Sequence, residues 1–358
     1  MKKTILALAV PALLAASAAA TAANVYKTDS QSMDVYGRVE ADLTNAGGDK
    51  SQEKSTDLDT AARLGIKGTT KLTDGLSAFA RGEWQVAGEN GDGSKFNARH
   101  IYLGLDAGTA GNVKFGQTDT PFYTSLDSTI DIFDQWGMEA QSGLYGYSRQ
   151  SSQVIYSNDF GPVTLQASYQ FKTSAEDTLG VATVSDGYVF DADTGSSADA
   201  TATPDQDNAY NIAAVYDTGM GLKLRAAYAR QNFEGDSKKD NYGFGFDYTN
   251  DNLYAAFVYE GAKVKNDGSD DLTVNSYDLV GAYTIGQTRL YSGWGFQRQS
   301  DDGASHDGTA VNSFKAGVEY NFTSNFLSWV EYRHNNGASD TANGYAANEF
   351  AVSAQYNF

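Results

Sequence analysis

The sequence predicts an all-β chain folded as a 16-stranded antiparallel transmembrane β-barrel with an inward-folded third loop. Three observations predict it. Apolar and polar residues alternate with period two along many segments of about ten residues, so that one face of each segment is apolar and the other polar. Short turns rich in Gly, Asp and Asn alternate with long polar connections. One long connection, 119–150, is acidic and aromatic at once, which suits neither a tight turn nor a disordered tail.

The first residues have the layout of a secretory signal peptide. Lys2 and Lys3 form a basic start, Ile5 to Ala16 an apolar run, and Ala20-Thr21-Ala22 a small-residue cleavage site. The run is too short to cross about 30 Å of hydrocarbon as a helix. Residues 1–22 are therefore expected to be removed, leaving 23–358 as one barrel. The chain has no cysteine, so neither disulfides nor thiolate zinc hold it. Its formal charge of −19 becomes −21 without Lys2 and Lys3, which argues against nucleic acid as a partner. With 23 Tyr, 18 Phe and 37 Gly against 4 Pro, the composition suits a sheet with one apolar and one polar face.

Taken in order, strands are expected at about 33–42, 60–72, 76–87, 96–107, 112–118, 151–158, 163–172, 208–217, 221–233, 240–249, 251–262, 273–284, 288–299, 311–321, 325–335 and 347–358. In the first, Val35, Gly37 and Val39 alternate with Asp34, Tyr36, Arg38 and Glu40. In the second, Leu64 and Ile66 alternate with Arg63, Gly65 and Lys67. Tyr242, Phe244, Phe246 and Tyr248 share one face of the tenth, with glycines and Asp247 opposite. Phe350, Val352, Ala354, Tyr356 and Phe358 repeat the pattern at the end of the chain. Short connections such as Thr73-Asp74-Gly75, Asn250-Asp251 and Thr323-Ser324 fall between long ones at 43–59, 88–95, 119–150, 173–207, 234–239, 263–272, 300–310 and 336–346.

Closure follows from the solvent. In hydrocarbon every backbone donor and acceptor needs an internal partner, and only helices or closed sheets provide one. Sixteen strands leave a lumen wide enough for water. The aromatics Tyr216, Tyr248, Tyr283, Tyr320, Tyr332, Tyr356 and Phe358 are expected near the short-turn ends, as a belt at the headgroup level. The stretch 119–150 is expected to fold into the mouth of the barrel and narrow it, carrying Asp119, Asp127, Asp131, Asp134 and Glu139.

Several segments carry a resemblance to a known family. They are Met33-Asp-Val-Tyr-Gly-Arg38, Ala62-Arg63-Leu-Gly-Ile-Lys-Gly68, Asn97-Ala-Arg99 with Leu103-Gly-Leu105, and the terminal Gln355-Tyr-Asn-Phe358. Through them the chain resembles the trimeric general porins of Gram-negative outer membranes, over essentially its whole mature length. The resemblance implies a homotrimer in the outer membrane, in contact with lipid and lipopolysaccharide. It implies a water-filled channel for ions and small hydrophilic solutes, with no cofactor and no metal. It implies a pore constriction in which Arg38, Arg63, Arg99 and Arg149 face the loop acids, with Asp131 the best match and Asp127 and Asp134 near it. The sequence departs from the family at Asp134-Gln135-Trp136-Gly137-Met138, where Gln135 stands in place of the expected loop carboxylate. Strand parity suits lumen placement of Arg38 and Arg63, whereas Ile101 and Leu103 share the parity of Arg99.

Opposed acids and bases across water set selectivity in channels, and the net charge points to weak cation preference. A barrel enzyme is disfavoured: His100, His306 and His334 stand without a nucleophile or ligand pattern. Gly243-Phe-Gly245 lies inside a strand and is no dinucleotide fingerprint. The remaining alternative is a substrate-specific channel, or an adhesive barrel acting through its extracellular loops.

Overall fold

The computed structural model describes residues 23–46, 55–87, 96–147, 149–173, 184–185, 188–189, 205–265, 271–301, 308–336 and 347–358. Residues 1–22, expected from the sequence to be a signal peptide, the tips of the long polar connections, His306 and the acids Asp267 and Asp302 lie outside the described residues.

Sixteen antiparallel strands close on themselves. They are β1 (Gln31–Ala46), β2 (Ser55–Thr73), β3 (Leu76–Ala87), β4 (Phe96–Asp106), β5 (Asn112–Thr118), β6 (Gln150–Phe160), β7 (Val163–Gln170) and β8 (Gln206–Asp217). They continue as β9 (Leu222–Phe233), β10 (Lys238–Asn250), β11 (Leu253–Lys265), β12 (Leu272–Ile285), β13 (Thr288–Asp301), β14 (Gly308–Asn321), β15 (Phe326–Asn335) and β16 (Ala347–Asn357). Each pairs with its chain neighbour, including β7 with β8 across the long connection between them. The ring closes where β16 pairs with β1, from Phe350↔Asn45 to Asn357↔Arg38. A short N-terminal strand, Ala23–Lys27, then pairs with Ser32–Val35 on the same edge of β1. The sequence pattern does not foretell that strand.

The faces follow the alternation. Ile66, Leu103, Phe244, Phe246, Trp294, Val330 and Val352 point outward and are exposed, while Glu83, Gln153, Asn241, Asp247, Glu260, Asp278 and Glu331 are buried on the inner face. This inversion of a soluble core is what a barrel in hydrocarbon with a polar interior requires. Tyr216, Tyr248, Tyr283, Tyr320 and Tyr356 lie near short-turn ends or the C-terminus. Tyr332 does not: it pairs with Phe350 near the long-connection end of β15, and its hydroxyl donates to Asn348 Oδ1 at 2.7 Å.

Two irregularities re-aim side chains. Glu83 pairs with His100 and Trp84 with Ala98, so Arg99 is one extra residue on β4. Such a bulge shifts strand parity by one. Ile101, Leu103 and Leu105 therefore point outward although Arg99, with the same spacing, points inward. A second bulge separates Gly116↔Gln153 from Thr118↔Gln150, with Ser152 at φ 51°.

The connection between β5 and β6 is not a surface loop. Pro121–Ser125 forms a short helix, α1, whose N-cap Thr120 accepts from the Tyr123 N–H at 3.2 Å, with Pro in the first turn. Phe122, Leu126, Ile130, Phe133, Met138 and Tyr145 pack against inner-face Ala213, Ala227, Ala256, Val258 and Val280 in one buried cluster. Small wall residues make room: a Cβ at Gly243 would sit 2.5 Å from Leu126 Cδ2, and one at Gly293 would sit 2.9 Å from Phe133 Cε2. Burying each large apolar side chain contributes about 1.5–3 kcal/mol.

Candidate functional site

A chain segment laid inside a barrel brings backbone groups that need partners, and the far wall supplies them. Arg225 on β9 donates to Ser125 O at 2.8 Å, and the Tyr254 hydroxyl to Thr129 O at 2.6 Å. The Glu331 carboxylate accepts the Asp134 and Gln135 N–H groups at 3.0 and 3.1 Å. Lys315 donates to Gly137 O, Lys239 to Gly143 O, and the Ser276 hydroxyl to Ala140 O at 2.5 Å. Arg333 pairs with Glu139 and Glu349, and its guanidinium stands 5.3 Å from the Trp136 ring centroid. The segment is thus fixed to β9–β15 along its length.

The near wall is basic. Arg38 on β1 is directly opposite Arg63 on β2, which is opposite Gln85 on β3. Arg38 donates to Gln355 Oε1 at 2.8 Å and pairs with Glu40 at 3.0 Å. Arg63 donates to Gln85 Oε1 at 3.2 Å and lies within electrostatic reach of Arg38, Arg99 and Arg149. Arg99 donates to Glu83 at 2.9 Å and to Gln85 at 3.1 Å. Arg149 pairs with Asp119 at 3.1 Å.

The two sides meet at Arg38 and Asp134, whose Nη1 and Oδ1 are 3.9 Å apart. The Asp134 side chain is 37 % exposed. Asp131 accepts the Tyr123 hydroxyl at 2.7 Å. Burial holds the Asp131 carboxyl above its ordinary value, against the pull of that hydrogen bond and of Lys315 and Arg149. Gln135 contributes its backbone N–H to Glu331.

Asp127 does not face the gap. It is 0 % exposed and turned toward the wall, under Gly146, where a Cβ would overlap its carboxylate. Neither oxygen has a hydrogen-bond partner among the described residues. Burial, and then the charges of Asp278 and Asp131, push its carboxyl well above the ordinary range.

Sequence reasoning missed the residue that organises the near wall. Glu83 accepts from Tyr36 (2.8 Å), Arg81 (2.5 Å) and Arg99 (2.9 Å). Its signal was the alternation Arg81-Gly-Glu83-Trp-Gln85, readable as an inward face but not as a hub. His100 is buried against Thr118 Oγ1 at 2.9 Å, with Glu83 and Asp119 each 3.9 Å away.

A family model described as Gram-negative porin matches residues 7–340. The chain belongs to the Gram-negative porin family. Porins of this family are channels of the outer membrane, and that is where this barrel resides. It is 29 % identical over 380 residues to outer membrane protein U of Vibrio parahaemolyticus, with all of each chain covered. The porin fold is shared with Salmonella typhi OmpF solved in complex with daunomycin, at TM-score 0.76 and 18 % identity, covering 94 % of this chain and 100 % of that one. It is shared also with in-vitro folded OmpT of Vibrio cholerae in its trimer form, at TM-score 0.67 and 16 % identity, covering 92 % and 100 %.

Proposed function

We propose that this porin is a general diffusion channel, water-filled and weakly cation-selective, passing ions and small hydrophilic solutes down their gradients. The observation that supports the reading is the approach of the inner segment to the basic wall, where Asp134 stands 3.9 Å from Arg38; we read Asp131 and Asp134 as the acidic side of the gap and Arg38, Arg63, Arg99 and Arg149 as the basic side. Opposite charges across a narrow aqueous gap make a transverse field, which orients dipolar solutes and slows apolar ones that lose hydration there. Asp127 lies outside this reading because its carboxylate faces the wall. The chain's net negative charge enriches cations at the mouths.

We assign the working unit as a homotrimer, a reading supported by the trimer form of the similarly folded OmpT. Outer-membrane lipid and lipopolysaccharide are its surroundings, in keeping with the outward apolar faces. Residues 1–22 are read as a signal peptide, which intact-mass measurement of the exported protein checks.

The test is insertion of the purified trimer into a planar bilayer. The reading expects ohmic steps that close in three equal parts, with a reversal potential in a salt gradient of the sign for mild cation preference. A folded, heat-modifiable barrel that carries no current would overturn it.

A further inference from the structure

Three buried carboxyl groups lie behind the inner segment, on the side away from the gap. Asp127 comes from the segment itself, Glu260 from β11 and Asp278 from β12, and each is buried. On the paired strands Glu260 is opposite Ser276 and Asp278 opposite Val258. The three lie within electrostatic reach of one another. Both oxygens of Asp127, both of Glu260 and Oδ2 of Asp278 have no hydrogen-bond partner among the described residues. Buried polar groups in folded proteins are nearly always paired, so this seam asks for a physical reason.

The surrounding charges do not balance it. Lys239 on β10 is within reach of Glu260, and Lys315 on β14 within reach of Asp278, which also has the Gln141 amide beside it. Each ammonium donates to the segment backbone, Lys239 to Gly143 O and Lys315 to Gly137 O. Arg225 on β9 and Asp247 on β10 pair with each other. Asp131 of the segment adds a further acid near Asp127. The phenol of Tyr254 on β11 donates to Thr129 O at 2.6 Å, and Tyr145 of the segment is buried against the same wall. Three carboxylates here would thus face two ammonium ions, before Asp131 is counted. The Asp127 carboxyl is also closely covered: a Cβ at Gly146 would stand 1.8 Å from its Oδ2, with Phe122 alongside.

A carboxylate buried without a partner neutralises rather than stay charged. Burial, and then the charges of Asp278 and Asp131, keep the proton on Asp127 well above the ordinary range. In water the same group gives up its proton at about pH 3.9. Seating of the segment and protonation of Asp127 are therefore linked. Seating is fully favoured below the ordinary value and weakens as pH rises through the raised one. The segment rests on the far wall, and the gap lies on its other side, between Asp134 and Arg38. A segment that leaves the wall moves into the gap.

We infer that Asp127 is a proton-operated latch: the 121–130 half of the inner segment is seated while Asp127 holds a proton, and loss of that proton drives this half off Glu260 and Asp278 into the lumen and narrows the pore. Release is opposed by Leu126, packed over Gly243 and Gly245, and by the hydrogen bonds of Arg225 to Ser125 O and of Tyr254 to Thr129 O. The other half stays tied through Glu331, Lys315 and Lys239. The inference rests on the pore reading for its effect on current, but seating is measurable without current.

The experiment is single-channel recording from pH 5 to pH 10 with wild type, Asp127→Asn and Leu126→Ala. Alongside it, hydrogen exchange of the 121–130 amides is followed in the folded detergent-solubilised protein, corrected for the intrinsic effect of pH. Wild type is expected to lose current and amide protection together on the alkaline side. Asp127→Asn, which cannot ionise, is expected to keep both. Leu126→Ala should move the midpoint toward acid by about one pH unit or more, one unit being a tenfold change in the seating equilibrium. Wild-type current and protection that stay flat to pH 10 would overturn the latch. So would Asp127→Asn losing both in step with wild type. A folded barrel that shows the exchange transition in wild type but not in Asp127→Asn, and carries no current at any pH, would keep the latch and overturn the pore reading.

Discussion

Gly37 and Phe358 close the barrel by exchanging both backbone hydrogen bonds, Gly37 N–H to Phe358 O at 2.9 Å and Phe358 N–H to Gly37 O at 3.0 Å. The Phe358 ring covers the glycine. A Cβ at position 37 would stand 2.5 Å from its Cζ and 2.4 Å from Arg63 O. The last residue of the chain therefore depends on the absence of a side chain near its beginning.

Gly37→Ala is expected to cost about 1–3 kcal/mol, the usual range for overpacking. The backbone oxygen of Arg63 cannot swing aside as a side-chain tip does. The check is the temperature at which the folded band is lost on semi-native gels. An unchanged midpoint would mean that the Phe358 ring and the Arg63 strand both give way freely.

Glu83→Gln is expected to lower cation preference, because Arg81 and Arg99 lose the acid that offsets them. Arg63→Gln is expected to act in the opposite sense. A unit charge at ~4 Å in water is worth about 1 kcal/mol, so each permeability ratio should move by up to about five-fold. Reversal potentials in asymmetric salt decide both signs. Equal shifts of the same sign would contradict the opposed-row reading.

Asp127→Asn isolates the buried carboxyl behind the inner segment. Its folded value is raised above the ordinary 3.8. Its favourable contribution is therefore complete below that value and is lost as pH rises through the raised one. The substitution is expected to stabilise the protein at pH 8, by about 1–3 kcal/mol as for a buried unsatisfied group, and to change little at pH 3. Melting curves at both pH values test this. A loss of stability at pH 8 would show that the carboxylate is ionised and well paired.

Leu126→Ala is expected to loosen the inner segment by about 2–5 kcal/mol. Gly243→Ala presses a methyl against the same leucine, so its effect should shrink when Leu126 is already Ala. Open-channel current noise in the two single variants and the double variant is the readout. Strict additivity would separate the two positions.

Strand placement was legible because period two is a local property. β1 and β2 run longer than expected because their pairing continues to Ala46↔Ser55, past where the apolar alternation fades. The inward placement of Arg99 was legible from the family motif but not from strand parity. The bulge that turns it inward consumes one residue, and a fixed parity cannot register that. Asp127 could not be told from Asp131 and Asp134, because an irregular segment has no period to say which side a residue faces. Gly243 and Gly245 read as an empty fingerprint until Leu126 was found seated over them.

The account's central claim is that Asp134 faces an open gap while Asp127, seven residues earlier, does not. The chain has no cysteine, so single cysteines can be placed at will. We would form Asp134→Cys and Asp127→Cys channels in bilayers and add a charged methanethiosulfonate reagent during recording. The account expects stepwise loss of current at position 134 and none at position 127. Modification at 127 with position 134 inert would contradict it.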